Sequence, residues 1–114
     1  MKFTIALLVM TIAIFVSAAS AQDKESAEGK TLFHSQCVMC HGADGTGNTP
    51  VGKVMHIPNL ASPEVQKNTD AQLTSIIENG KGKMPAFKAK LKPEQIKDLV
   101  SYVRELAKPG TGTK

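Results

Sequence analysis

Hydrophobic positions change their spacing along this chain, and each spacing predicts a different element. Phe3 to Val16 is a nearly continuous apolar run broken by Thr4 and Thr11. It is shorter than the roughly 20 apolar residues needed to cross a bilayer. With Lys2 before it and Ala19-Ser20-Ala21 after it, the run has the layout of a cleavable export signal over residues 1–21. From Asp23 to Gln36 the spacing becomes helical: Leu32, Phe33 and Gln36-Cys37 fall along one side. Ser26 is the candidate N-cap, and Glu25 and Glu28 suit the positive end of the helix dipole. Gly29 lies four residues before Phe33 on the same face. A glycine inside a helix costs about 1 kcal/mol against alanine, which the close approach of a second helix would explain.

Two further helices follow from start and stop signals. Thr69-Asp70-Ala71-Gln72 is a capping box, Leu73, Ile76 and Ile77 form a stripe, and Asn79-Gly80 ends the pattern. Pro93 at the first helical position, with Glu94 beside it, opens a helix to Ala107 or Lys108 before Pro109-Gly110. Its apolar face is Ile96, Leu99, Val100, Val103 and Leu106, and Tyr102 lies within reach of Gly29 and Phe33. Gly42 to Pro50 is rich in turn residues and reads as a loop, without the rest of a phosphate-binding signature. Met55 to Leu60 is apolar without helical length, and Gly80 to Phe87 is a second glycine-rich loop. The predicted class is all-α, with residues 22–114 as one domain and 110–114 as a disordered tail.

Composition narrows the function. Removing residues 1–21 leaves 93 residues, near the lower limit for a fold held by its apolar core alone. Basic residues then fall from 14 to 13 against 10 acidic ones, a net charge of +3. That balance, with one tyrosine and no tryptophan, offers neither the field nor the stacking platform for nucleic acid.

The chemistry concentrates in Cys37-Val38-Met39-Cys40-His41, which contains the only two cysteines. A C-x-x-C pair alone could be a thioredoxin-like redox disulfide or half of a zinc site. The first needs a βαβ setting, and the second needs two more ligands. The adjacent histidine favours covalent attachment of haem c, with two thioether bonds and an imidazole on the iron. A metal-bound histidine usually donates its other ring N–H to a carbonyl or carboxylate, and Pro58 is the candidate carbonyl for His41. Met84 precedes Pro85 and is therefore held extended, so its thioether is the candidate sixth ligand. Met55 and His56 are the alternatives, an open sixth position is a third, and His34 reads as a solvent-facing helix residue.

With Cys37 to His41, Pro58-Asn59-Leu60, Met84-Pro85 and the terminal helix in this order, the chain from Asp23 to Lys108 resembles class I cytochrome c, in particular its small exported monohaem members. The resemblance implies about three main helices around one haem, with the N- and C-terminal helices crossed. It implies Cys37 and Cys40 as the covalent anchors, His41 and Met84 as axial ligands, and Pro58 as the partner of His41. Gly29, Phe33 and Tyr102 match the family's helix contact. No tryptophan is present to meet a haem propionate, which leaves Lys53, Lys81 and Lys83 as candidates.

The expected role is one-electron transfer between respiratory or photosynthetic redox proteins. A monomer without stable membrane insertion would dock through an exposed haem edge, in the periplasm if the cell is Gram-negative. Lys53, Lys81, Lys83, Lys88 and Lys90 are candidates for a positive rim. The competing readings are a haem subunit of a dehydrogenase or oxidase and a peroxidase-like enzyme, which would need an open iron position.

Overall fold

The computed structural model describes residues 17–110, so the apolar run and the end of the tail lie outside the described residues. Six helices follow one another among those residues: α1 Ser17–Gln36, α2 Val38–His41, α3 Pro50–Met55, α4 Pro63–Gln66, α5 Asp70–Asn79 and α6 Pro93–Leu106. No strand occurs among them, and one isolated bridge joins Lys81 to Met84. The three long helices are the predicted ones, and the three short ones are additions.

Two of the additions have a legible signal. Thr49 and Ser62 each accept a hydrogen bond from a first-turn N–H and are followed by proline at the first helical position. A hydroxyl cap before a preset φ starts a helix in very few residues. The start of α1 is a correction. Ser26 sits inside the helix and caps nothing, because α1 runs back to Ser17 through Ala19-Ser20-Ala21. Alanine is the strongest helix former, and nothing in that stretch breaks the pattern.

Both other starts hold. Thr69 Oγ1 accepts from Gln72 N–H at 3.1 Å while Gln72 Oε1 accepts from Thr69 N–H at 2.8 Å, closing the capping box of α5. Gln95 Oε1 accepts from Lys92 N–H at 2.9 Å at the start of α6.

Helices α1 and α6 cross where Gly29 is buried. A Cβ there would fall onto the Asp98 carbonyl and come within 2.9 Å of Tyr102 Cβ. The missing side chain lets the two backbones meet. One turn on, Phe33 (2% exposed) packs against Tyr102, with ring centroids 5.2 Å apart at 59°. Around this pair lie Phe87, Leu91, Ile96, Leu99 and Leu106, forming the main core. Leu73, Val100 and Val103 form a second cluster that packs α5 against α6.

Candidate functional site

Helix α1 delivers Cys37. Its N–H still donates to Phe33 carbonyl at 2.9 Å, but φ −119° takes it out of the helix. The next turn, α2, is built on its own carbonyl, which accepts from Cys40 N–H at 3.2 Å and His41 N–H at 2.9 Å. Residues three and four apart on a helical turn lie on one side. Cys37, Cys40 and His41 therefore share a side, while Met39 is 80% exposed. Both cysteines are free and half-buried. Burial, and secondarily the neighbouring Cys40, pushes the Cys37 thiol up to about 11.

Burial also lowers the His41 pKa, which favours the neutral imidazole. That is the form that binds a metal. The ring lies beside Phe33, with centroids 6.3 Å apart. His41 Nδ1 is buried and has no hydrogen-bond partner. The bond expected to the Pro58 carbonyl is not among those formed in this structure. The flanking backbone is anchored elsewhere, Ile57 N–H to Gly52 carbonyl and Leu60 N–H to Gly45 carbonyl, each at 2.9 Å. Pro58 is left exposed between these anchors.

The loop after His41 does more than pass by. Gly47 N–H donates to His41 carbonyl at 2.7 Å. Gly45 and Gly47 have φ +72° and +74°. A Cβ on Gly45 would lie 2.7 Å from Leu106 Cδ1, and one on Gly47 would lie 2.6 Å from Ile57 carbonyl. These glycines serve contacts within the chain. Thr49 is a site residue that sequence reasoning missed. Its hydroxyl donates to Cys40 carbonyl at 2.8 Å and accepts from Gly52 N–H at 2.8 Å, tying the motif to α3. The Thr-Pro pair was the available signal.

Met84 arrives from the other end of the chain. Lys81 and Met84 exchange N–H···O bonds of 3.3 and 3.0 Å across a tight turn with Gly82 at φ +58°. Gly80 lies under this turn, where a Cβ would meet Met84 carbonyl at 2.5 Å. Phe87 N–H to Ile77 carbonyl, 3.0 Å, fastens the loop to α5. Met84 is half-buried and packs against the same core as Cys37 and Val38. The alternatives lie further out: Met55 is 41% exposed, and His56 is an exposed residue at φ +54° closing α3. His34 is exposed, as expected. So are Lys53, Lys81, Lys83, Lys88 and Lys90, with the Lys90 ammonium 5.8 Å from the Phe87 ring centre.

This donor set distinguishes the readings of the motif. Among the described residues no three His, Cys, Asp or Glu side chains are grouped to hold a bare ion, which argues against zinc. No βαβ unit supports a thioredoxin-like site. Two free thiols on one side of a turn, a half-buried imidazole with a buried, unpartnered ring nitrogen, and a thioether on the same core do fit a haem c.

Comparison with known proteins gives the same direction. Residues 24–103 match the family model described as cytochrome c oxidase, cbb3-type, subunit III. Cytochrome c6 of Nostoc sp. is 35% identical over 105 residues, covering 90% of this chain and 92% of its own length. The cbb3-type cytochrome c oxidase subunit FixP of Bradyrhizobium sp. is 36% identical over 104 residues, covering 86% of this chain. Only 34% of FixP is matched, so the chain spans about a third of that relative. A solved structure titled KustC0563 c-type cytochrome has a TM-score of 0.65 at 36% identity, covering 70% of this chain and 98% of its own.

Proposed function

The chain belongs to the class I c-type cytochromes, and from that premise we propose that it carries single electrons on one haem c. The observation that carries this reading is the packing of Cys37, Val38 and Met84 against one core, although Met84 is more than forty residues further along the chain. In this reading Cys37 and Cys40 hold the haem covalently, and His41 and Met84 are the axial ligands. The bound group supplies an iron that cycles between ferric and ferrous states. With His41 and Met84 both holding the iron, the bound haem would pass electrons without substrate chemistry at the metal, and the chain is an electron-transfer protein rather than an enzyme.

The residues have separate tasks. Phe33 lies against the His41 ring and limits its orientation. Thr49 and Gly47 hold the backbone on either side of it, at Cys40 and His41. The Lys81–Met84 turn and the anchor of Phe87 on Ile77 present the thioether from a braced loop. The Met84 loop carries Lys81, Lys83, Lys88 and Lys90 exposed, which suits transient docking to an acidic redox protein. Residues 1–21 support export, to the periplasm in a Gram-negative cell. No helix among the described residues is long and apolar enough to cross a membrane.

The similarity to FixP favours one second reading, in which this domain works as a fixed haem subunit of an oxidase. Co-purification with a partner at stoichiometric ratio from the native cell would identify it. The main reading is tested by absorption spectroscopy and redox titration of the exported protein. One reversible one-electron wave with a low-spin six-coordinate spectrum is expected. Absence of covalent haem, or fast peroxide turnover by the native protein, would overturn it.

A further inference from the structure

Arg104 on α6 has a side chain 29% exposed, yet it makes five hydrogen bonds to residues 66–70. Nη1 donates to Gln66 carbonyl at 2.9 Å and Gln66 Oε1 at 3.1 Å. Nη2 donates to Asn68 carbonyl at 2.5 Å and Asp70 Oδ1 at 2.9 Å, and Nε donates to Asp70 Oδ1 at 3.0 Å. All three guanidinium nitrogens therefore donate to residues 66–70, which run from the end of α4 to the first residue of α5. Gln66 extends the linkage: its Nε2 donates to Leu60 carbonyl at 2.8 Å and to Val103 carbonyl at 3.0 Å.

The linkage reaches the motif. Leu60 N–H donates to Gly45 carbonyl at 2.9 Å, and Gly45 lies against both Leu60 and Leu106. Two residues on, Gly47 N–H donates to His41 carbonyl. We propose that Arg104 is a positioning residue for His41, acting through Gln66, Leu60 and the Gly45–Gly47 loop. This rests on the axial role proposed for His41. An ion pair with the 76% exposed Asp70 side chain contributes little in water. The bonds that the guanidinium donates to the Gln66 and Asn68 carbonyls are what brace the loop, and they depend on the planar fork as well as on the charge.

The test compares Arg104→Gln and Asp70→Asn in the purified haem-loaded protein by amide hydrogen exchange and midpoint potential. Arg104→Gln is expected to speed exchange at the Leu60 and Gly47 amides about tenfold or more. It should also displace the midpoint potential while leaving the Phe87 amide unchanged. Asp70→Asn should alter neither the Leu60 and Gly47 amides nor the potential. Acceleration confined to residues 66–70, uniform acceleration including Phe87, or an equal effect of Asp70→Asn would each overturn the proposal. If the purified chain contains no haem, the functional reading fails on the spectrum alone, and the exchange pattern still decides whether the linkage exists.

Discussion

Gly29 and the Asp98 carbonyl occupy one contact, since the space a Cβ would need at Gly29 is taken by the backbone of α6. A backbone obstacle cannot rotate away as a side-chain tip can, so the spacing of α1 and α6 depends on that hydrogen. Everything between the helices, including Phe33 behind His41, inherits this spacing.

Gly29→Ala should therefore destabilise the protein, although alanine is the better helix former by about 1 kcal/mol. Overpacking costs about 1–3 kcal/mol and occasionally more, and a backbone obstacle puts it at the upper end, so a net loss of about 2 kcal/mol is expected. Denaturant unfolding with an unchanged m-value would measure it. A gain in stability would show that the crossing relaxes freely.

Phe33→Ala removes a fully buried ring from the centre of the core and should cost about 3–5 kcal/mol. A double-mutant cycle with Tyr102→Leu should return a coupling of about 0.5–1.5 kcal/mol for the ring pair. Strict additivity would remove the pair as a distinct contribution.

Met84→Ala should abolish the long-wavelength charge-transfer band of a sulfur-ligated ferric haem and lower the midpoint potential. Some stability should be lost as well, because the half-buried side chain packs against the core, while the backbone bonds from Lys81 and Phe87 keep the loop in place. Persistence of the band would pass the sixth position to Met55, the other candidate thioether.

Thr49→Val keeps the shape and removes the hydroxyl that caps α3 and holds Cys40 carbonyl. Loss of about 1–2 kcal/mol is expected from the cap and its second bond. Thr49→Ser, measured by the same thermal unfolding, should recover most of it.

Stability should also depend on Asp98. Burial, then the charges of Glu25 and Glu28, raise its pKa above the ordinary carboxylate value, Lys97 opposes them, and Glu94 adds a smaller push. A group with a raised folded pKa binds its proton more tightly in the native state. Stability is therefore lost as pH rises from the unfolded pKa through the folded one. Asp98→Asn should be more stable than the parent at neutral pH, by less than about 1 kcal/mol because the group is partly solvated. The advantage should shrink as pH falls through the raised folded pKa and be gone below the ordinary carboxylate value, and unfolding midpoints measured across acid pH would show it.

How much of this could be read along the chain depends on the range of each interaction. Cys37 to His41, the capping box at Thr69, the proline start of α6 and the glycine at position 29 are local statements. Chemistry, a turn or a helical face is complete there within a few residues. The order of those signals was enough to identify the family. The same short range explains the error at Ser26, where a cap-forming residue was overridden by alanine-rich sequence upstream. Tertiary structure alone decided where the carbonyls went. Pro58 had the right chemistry for His41, but the bonds of Ile57 and Leu60 left it exposed. The carbonyls of Cys40 and His41 are held instead by Thr49 and Gly47. A hydrogen bond depends on distance and direction between segments far apart in the chain, and no residue spacing encodes that.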